Sequence, residues 1–315
     1  FLLSGCSGVS DEAEEVLEPS ASQENETPTE GVTNHQLYYA ASEDGETWNL
    51  SPEETILEKA SVPNLILVKQ NIGDFKKGTL ISHFVDASEM HDWGDERIGY
   101  IISEDNGESW SEREMITIEN LPERITAVDP CVVQLGDGRM RIYFFDFTAN
   151  KNLLAGDETD PTFYSAVSED GVTFEFEGEV YSSDEALITD PEVIWYGERW
   201  LLYNPVFESV ESMKAGENKI QISESSDGTN FELIDTIDFH GIPGVMHENG
   251  IVSMFGCSRN GITRIQSEDG IEFDTDNVDV ILETGGCDPD PAKLSDGTYG
   301  LILKGFEPKD KPESA

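Results

Sequence analysis

Of the Asp-Pro dipeptides in this 315-residue chain, three open apolar runs, Asp129-Pro130, Asp190-Pro191 and Asp288-Pro289, and two of these are followed by a second acid, Glu192 and Asp290. Carboxyl groups held close together in a partly dry pocket drive their pKa values apart, so that one stays ionised while its neighbour keeps a proton. Such a pair can protonate a leaving oxygen and activate a nucleophile, which is the division of labour glycoside hydrolysis needs. The same residues have a plainer use. Asp accepts hydrogen bonds at a strand entrance, and Pro fits a first strand position where no ladder donor is lost. The chemistry requires Asp129, Asp190, Glu192, Asp288 and Asp290 to meet in space, so the elements that carry them must repeat about a common axis.

A repeat is present. The stretch Ser168-Glu169-Asp170-Gly171-Val172-Thr173-Phe174 has four near-copies, beginning at Ser42, Ser103, Ser225 and Ser267, with their turn aspartates at Asp44, Asp105, Asp227 and Asp269. In each, the Asp side chain can accept backbone N–H bonds across a turn, the Gly takes a left-handed conformation and the closing aromatic packs between sheets. Turn chemistry repeated in this way builds a fold and does not define a site.

Between these turns the chain alternates short apolar runs with turn residues, the pattern of many short strands. In the unit beginning at Asp129, residues 129–135 read as a buried strand, Gly136-Asp137-Gly138 as a hairpin turn, and 140–147, 163–167 and 173–181 as three further strands. Four antiparallel strands per unit make a propeller blade. Complete blades begin near Val62, Asp129, Asp190 and Ile242. Residues 288–306 supply a first and second strand with nothing after them, and residues 36–57 a third and fourth with nothing before them. The expected fold is all-β: a five-bladed β-propeller of four-stranded antiparallel blades whose closing blade is composite, which leaves no open sheet edge at the join.

Aligning the first strands on their hairpins places Val62, Asp129, Asp190, Ile242 and Asp288 at one level of the axis, with Asn64, Cys131, Glu192, Gly244 and Asp290 at the next. The result is an acidic funnel. His240 immediately precedes a blade start and is a candidate axis residue; Trp93 and Trp195 are candidate platforms for a sugar ring. No histidine or cysteine spacing marks a metal site, and no cofactor is implied, although carboxylates suit a hard cation such as Ca2+ at the acidic axis. Cys131 and Cys287 flank Asp-Pro starts and read as buried free thiols, with a Cys257–Cys287 pairing left open.

The formal net charge is −46, from 65 acidic and 19 basic residues. Phosphate-rich partners, nucleic acid and anionic headgroups, are repelled by such a field. Solubility and a saline habitat both account for this much surface acid. At the N-terminus, Leu3-Ser4-Gly5-Cys6 resembles the lipobox of prokaryotic lipoproteins, in which the Cys is acylated. Residues 1–6 then read as the end of a signal peptide and lipobox, and the Ser-, Thr-, Glu- and Pro-rich residues 7–34 as a disordered tether. Residues 35–307 form one propeller domain, and 308–315 a tail. This organisation implies an extracytoplasmic, monomeric protein held to a membrane by lipid alone, since no segment approaches the ~18 apolar residues of a span.

The Asp-Pro strand starts resemble those of the five-bladed glycoside hydrolases that include arabinanases, xylosidases, invertases and levansucrases. That resemblance implies a base or nucleophile Asp on the first blade, a supporting Asp on the second and an acid Glu on the third. Asp129 matches the supporting position. The first-blade position holds Val62, with Asn64 nearby, and the third holds Asp190, with Glu192 two residues on; a set completed by Asp288 or Asp290 is the alternative. The Ser-x-Asp-Gly turns resemble the Asp-boxes of sialidases, but sialidases have six blades and an arginine cluster, and only five units are present here. Two functions follow: a glycan-directed glycoside hydrolase with a non-standard carboxylate set, or a non-catalytic propeller that binds glycan or protein.

Overall fold

The structure is a computed structural model that describes residues 32–50, 55–91, 95–148, 152, 160–183 and 186–306. Cys6, residues 7–31 of the tether, Trp93 and the C-terminal tail lie outside the described residues.

Five sheets form the blades of a propeller. Blade I comprises Ala60–Leu67, Leu80–Asp86, Arg97–Ser103 and Glu114–Met115. Blade II comprises Ala127–Gln134, Met140–Asp146, Thr162–Ser168 and Thr173–Ser182, with the short strand Thr117–Glu119 added parallel to its outer edge. Glu192–Tyr196, Arg199–Phe207, Lys219–Ser225 and Glu232–Ile237 make blade III, where the two-residue strand Leu187–Ile188 also pairs with the second strand. Blade IV is Gly244–Glu248, Ile251–Ser258, Gly261–Ser267 and Asp279–Leu282. Blade V is composite, as the unmatched half-blades of the sequence require. Its inner strands are Cys287–Lys293 and Tyr299–Phe306, and its outer strands, His35–Ser42 and Asn49–Leu50, come from the other end of the chain. The closing ladder runs from His35 opposite Phe306 to Ser42 opposite Tyr299.

Each Ser-x-Asp-Gly turn is knotted internally in the same way. In the copy at Ser168, the hydroxyl accepts from Gly171 N at 2.8 Å and donates to Asp170 Oδ1, which accepts from Val172 N and Thr173 N at 2.8 and 2.7 Å. These backbone bonds hold the Asp170 carboxyl below the ordinary carboxylate range against a desolvation penalty that acts the other way. The turns also join the blades. Tyr39 donates to Asn106 O, Tyr143 to Gly228 O, Tyr203 to Gly270 O and Arg264 to Gly45 O, each reaching from one blade to the turn of the next. At the remaining joint, a side chain on Gly171 would collide with the Phe75 ring at 2.7 Å. The repeated turn is thus a joint between blades, well away from the axis.

Blades IV and V are additionally tied by a Cys257–Cys287 disulfide, with its Cα atoms 5.2 Å apart. This corrects the reading of Cys287 as a buried free thiol: the end of one blade's second strand lies beside the start of the next blade's first. Cys131 is the buried free thiol. The six-residue helix Val210–Ala215, capped by Ser209 and Gly216, was not expected from the apolar pattern because it sits in a connection between strands and buries little.

Candidate functional site

The first strand of every blade has a partner on one side only, so its other edge faces the axis and its backbone groups need partners there. A belt of side chains supplies them. Asn64 Oδ1 accepts from Val132 N at 2.9 Å, and Cys131 Sγ from Val193 N at 3.2 Å. Glu192 accepts the Val245 N–H. Asp290 Oδ2 accepts from Leu65 N at 3.1 Å and from Asn64 Nδ2 at 2.6 Å. Each belt residue therefore bridges from its own blade to the next. The missing link is matched on both sides: blade IV offers Gly244, which has no side chain, and blade V offers Pro291, which has no N–H to satisfy. A Cβ at Gly244 would lie 1.8 Å from Pro289 O. Glu192 and Asp290 thus sit in the ring of bonds that closes the axis. Burial raises both carboxyls, Asp290 to about 7, and Asp290 adds to the rise at Glu192.

One level above the belt lies the mouth. Val62, Asp129, Asp190 and Asp288 all have left-handed backbones, with φ of 45°, 53°, 49° and 51°. A proline follows each, and ladder registers slip at these places in blades I and V. Asp tolerates this conformation better than most residues, whereas the β-branched Val62 is strained there. The twist aims these residues across the axis. With Ile242 and the five prolines, and with the belt residues Asn64, Glu192 and Asp290 as its floor, they line a cavity of about 20 Å³, room for a single water molecule.

Three acids and one base meet at this mouth. Lys304 Nζ lies 2.5 Å from Asp288 Oδ2, an ion pair with a buried carboxylate and a largely buried ammonium. Asp288 Oδ1 is buried and has no hydrogen-bond partner among the described residues. Burial, and then the charge of Asp288, push the Asp190 carboxyl up to about 7, with Lys304 opposing. Asp129 is raised well above the usual range by burial first and by Asp190 and Asp288 next. The mouth therefore pairs acids inclined to hold a proton with a carboxylate matched to an ammonium. His35, hydrogen-bonded through Nδ1 to Ser61 at 2.9 Å, stands beside Lys304; burial and that neighbour lower it to about 4, so it stays neutral.

Asp129, Asp190 and Asp288 are thus brought together, and Glu192 and Asp290 are placed one layer below them. His240 lines neither axial cavity. It is an exposed side chain whose Nδ1 meets Asn218 O at 2.8 Å. Trp195 lies on the opposite side of the belt from the mouth. Sequence reasoning missed Lys304 and His35. The signal for Lys304 was available, since pairing residues 299–306 with 287–293 sets Lys304 opposite Cys287, one residue from Asp288. A divalent cation at the mouth would compete with Lys304 for Asp288, and among the described residues no group of three or more His, Cys, Asp or Glu side chains is arranged to hold a metal ion.

No protein-family model matches the chain, and no curated protein sequence matches it. Solved structures do. Zg3597, a family 117 glycoside hydrolase from the marine bacterium Zobellia galactanivorans, is 15% identical with a TM-score of 0.56, covering 87% of this chain and 90% of that chain. The Penicillium chrysogenum α-L-arabinanase complexed with arabinobiose is 17% identical with a TM-score of 0.51, covering 83% and 82%. An N-acetylgalactosamine deacetylase from F. plautii is 11% identical with a TM-score of 0.53, covering 86% and 95%. At such identities the likeness is one of fold, and the fold shared is the five-bladed β-propeller.

Proposed function

We propose that this protein is a glycan-directed propeller that cleaves glycosidic bonds at the acidic mouth of its axis. The observation that carries the proposal is the pairing of Asp190, raised to about 7, with Asp288, whose Oδ1 is buried and unpartnered. The 20 Å³ cavity admits a water molecule and no sugar ring, so the sugar rests outside the opening with its glycosidic bond at the edge, where Asp190 gives its proton to the glycosidic oxygen as the C–O bond breaks. A water molecule bonds to the anomeric carbon and loses its proton to the Asp288 carboxylate, which Lys304 orients. Asp288 then releases its proton and Asp190 takes one up through solvent, which resets the pair, and the net reaction consumes one water. Asp129 raises Asp190 by its proximity and completes the set, so that no first-blade acid is required where Val62 stands. The neighbours named as glycoside hydrolases support the carbohydrate reading. The Cys257–Cys287 disulfide supports an extracytoplasmic location, as expected for a lipid-anchored surface protein.

The test is a screen of the full chain against 4-nitrophenyl glycosides, including the α-L-arabinofuranoside, β-D-xyloside, β-D-galactoside and α-L-fucoside, beside Asp190→Asn. Turnover of at least one glycoside, reduced roughly 10²- to 10⁴-fold in the variant, is expected. Turnover of none, or an Asp190→Asn enzyme as active as the parent, contradicts the proposal. The narrow mouth and the apolar Val62 favour a second reading, a propeller that binds glycan without cleaving it. Glycan binding by the parent without hydrolysis selects that reading.

A further inference from the structure

Below the belt the axis opens again, on the face opposite the acidic mouth, into a funnel of about 600 Å³. The 20 Å³ passage and the hydrogen-bonded belt separate the two spaces, so a ligand in one does not reach the other. We infer that this lower funnel is a second binding site, built for a neutral saccharide.

Its size falls within the range of small-ligand sites. Its walls are the first strands of all five blades below the belt, and these carry three kinds of surface. Apolar side chains, among them Leu67, Met246 and Ala292, line it. So does Trp195, which is 48% exposed although indole is ordinarily withdrawn from water, and which is braced edge-on by Trp200 at 5.1 Å. The third surface is peptide backbone. The free edge of each inner strand presents alternate N–H and C=O groups to the axis, and the belt residues serve only the uppermost of them. An aromatic face beside uncharged donors and acceptors suits a sugar ring, whose C–H face is apolar and whose hydroxyls both donate and accept.

The charges point the same way. In a molecule with a net charge of −46, the funnel offers no unbalanced carboxylate cluster. Lys293 is paired with Glu248 at the rim and stands over the Tyr299 ring. At the floor, Glu192 and Asp290 are committed to backbone N–H groups. The His247 ring packs edge-on against Tyr196, 4.7 Å between centroids. A cation finds no free acid; Lys69 also lines the funnel, with no ion pair to a carboxylate among the described residues, and its single charge stands against the acidic field of the whole molecule that an anion would meet.

This inference is independent of cleavage at the mouth, and its test separates the two. The full-length protein is titrated calorimetrically with xylotriose, maltotriose and cellotriose, and with trigalacturonic acid as the anionic comparator. In parallel, oxidation of individual tryptophans by N-bromosuccinimide is followed by peptide mass spectrometry with and without each sugar, a readout that needs no variant. At least one neutral trisaccharide is expected to bind with Kd near or below about 1 mM. It should protect Trp195 from oxidation, lose roughly tenfold in affinity in Trp195→Ala, and bind Asp190→Asn as it binds the parent. The inference is overturned by any of four results: no neutral trisaccharide binding up to roughly 10 mM, binding that leaves Trp195 as reactive as before, preference for trigalacturonic acid, or binding abolished by Asp190→Asn and kept by Trp195→Ala.

Discussion

At Asp190 a functional requirement and a stability requirement oppose each other. Its native carboxyl holds a proton up to about pH 7, whereas an unperturbed one releases it near 3.8. Between those values the native state binds the extra proton, so stability falls as pH rises through that window, by up to about 4 kcal/mol above pH 7. Asp190→Asn removes that slope. The variant is therefore expected to be inactive yet more resistant to urea than the parent at pH 8, and a lower midpoint there contradicts the electrostatic account. His83 acts in the opposite sense. Its imidazole is fully buried, neither ring nitrogen has a hydrogen-bond partner among the described residues, and burial lowers it from 6.5 to about 3. The unfolded chain takes up that proton first, so stability is lost as pH falls from about 6.5 towards 3. His83→Leu is expected to flatten the acid limb of a stability–pH profile, and an unchanged limb removes His83 from the explanation. Gly244 makes a steric prediction. A methyl group there meets Pro289 O, and Gly244→Ala is expected to destabilise the protein by about 1–3 kcal/mol, read as a shift in the denaturation midpoint; no shift means that the belt does not close as described.

The inner strands explain what was legible in the sequence and what was not. Turn residues at fixed places counted the blades, and half-blades at the two ends located the ring closure, because both are local patterns with one structural outcome. The Asp-Pro starts were also legible as an axial set. Their division was not: Asp129, Asp190 and Asp288 open to the mouth, whereas Glu192 and Asp290 turn to the next blade's backbone. That choice depends on which N–H groups an unpaired strand edge leaves bare, and the complementarity of Gly244 with Pro291 belongs to two different blades. The Cys257–Cys287 pairing stayed open in the sequence for a related reason, since residues 257 and 287 approach only when blades IV and V are set side by side. It fixes Cys287 opposite Lys304 and directly before Asp288. Closing a loop with a sequence separation of 30 residues contributes roughly 3.5 kcal/mol on the chain-entropy view. Cys257→Ser with Cys287→Ser is expected to lower Tm markedly and to weaken turnover at the mouth. Full stability in the double variant argues against the disulfide as a clamp on this blade junction.

At the scale of the whole molecule, five blades make two different chambers on one axis. The upper is narrow, acidic and supplied with one ammonium. The lower is wide and largely uncharged, and the belt keeps them apart. A surface with a net charge of −46 surrounds both, and its field adds to the pressure on Asp129 and Asp190, so raising the ionic strength should lower their titration midpoints. Direct neighbours and burial are screened far less, and most of the shift at Asp190 should survive in salt. The most direct measurement is a carboxyl-carbon NMR titration of the 13C-Asp-labelled protein, with the Asp190 signal assigned by its absence in Asp190→Asn. A midpoint near 7 at physiological ionic strength is the expected result. A midpoint near the unperturbed value of about 4 would contradict the claim that the mouth holds a protonated acid beside an ion-paired carboxylate.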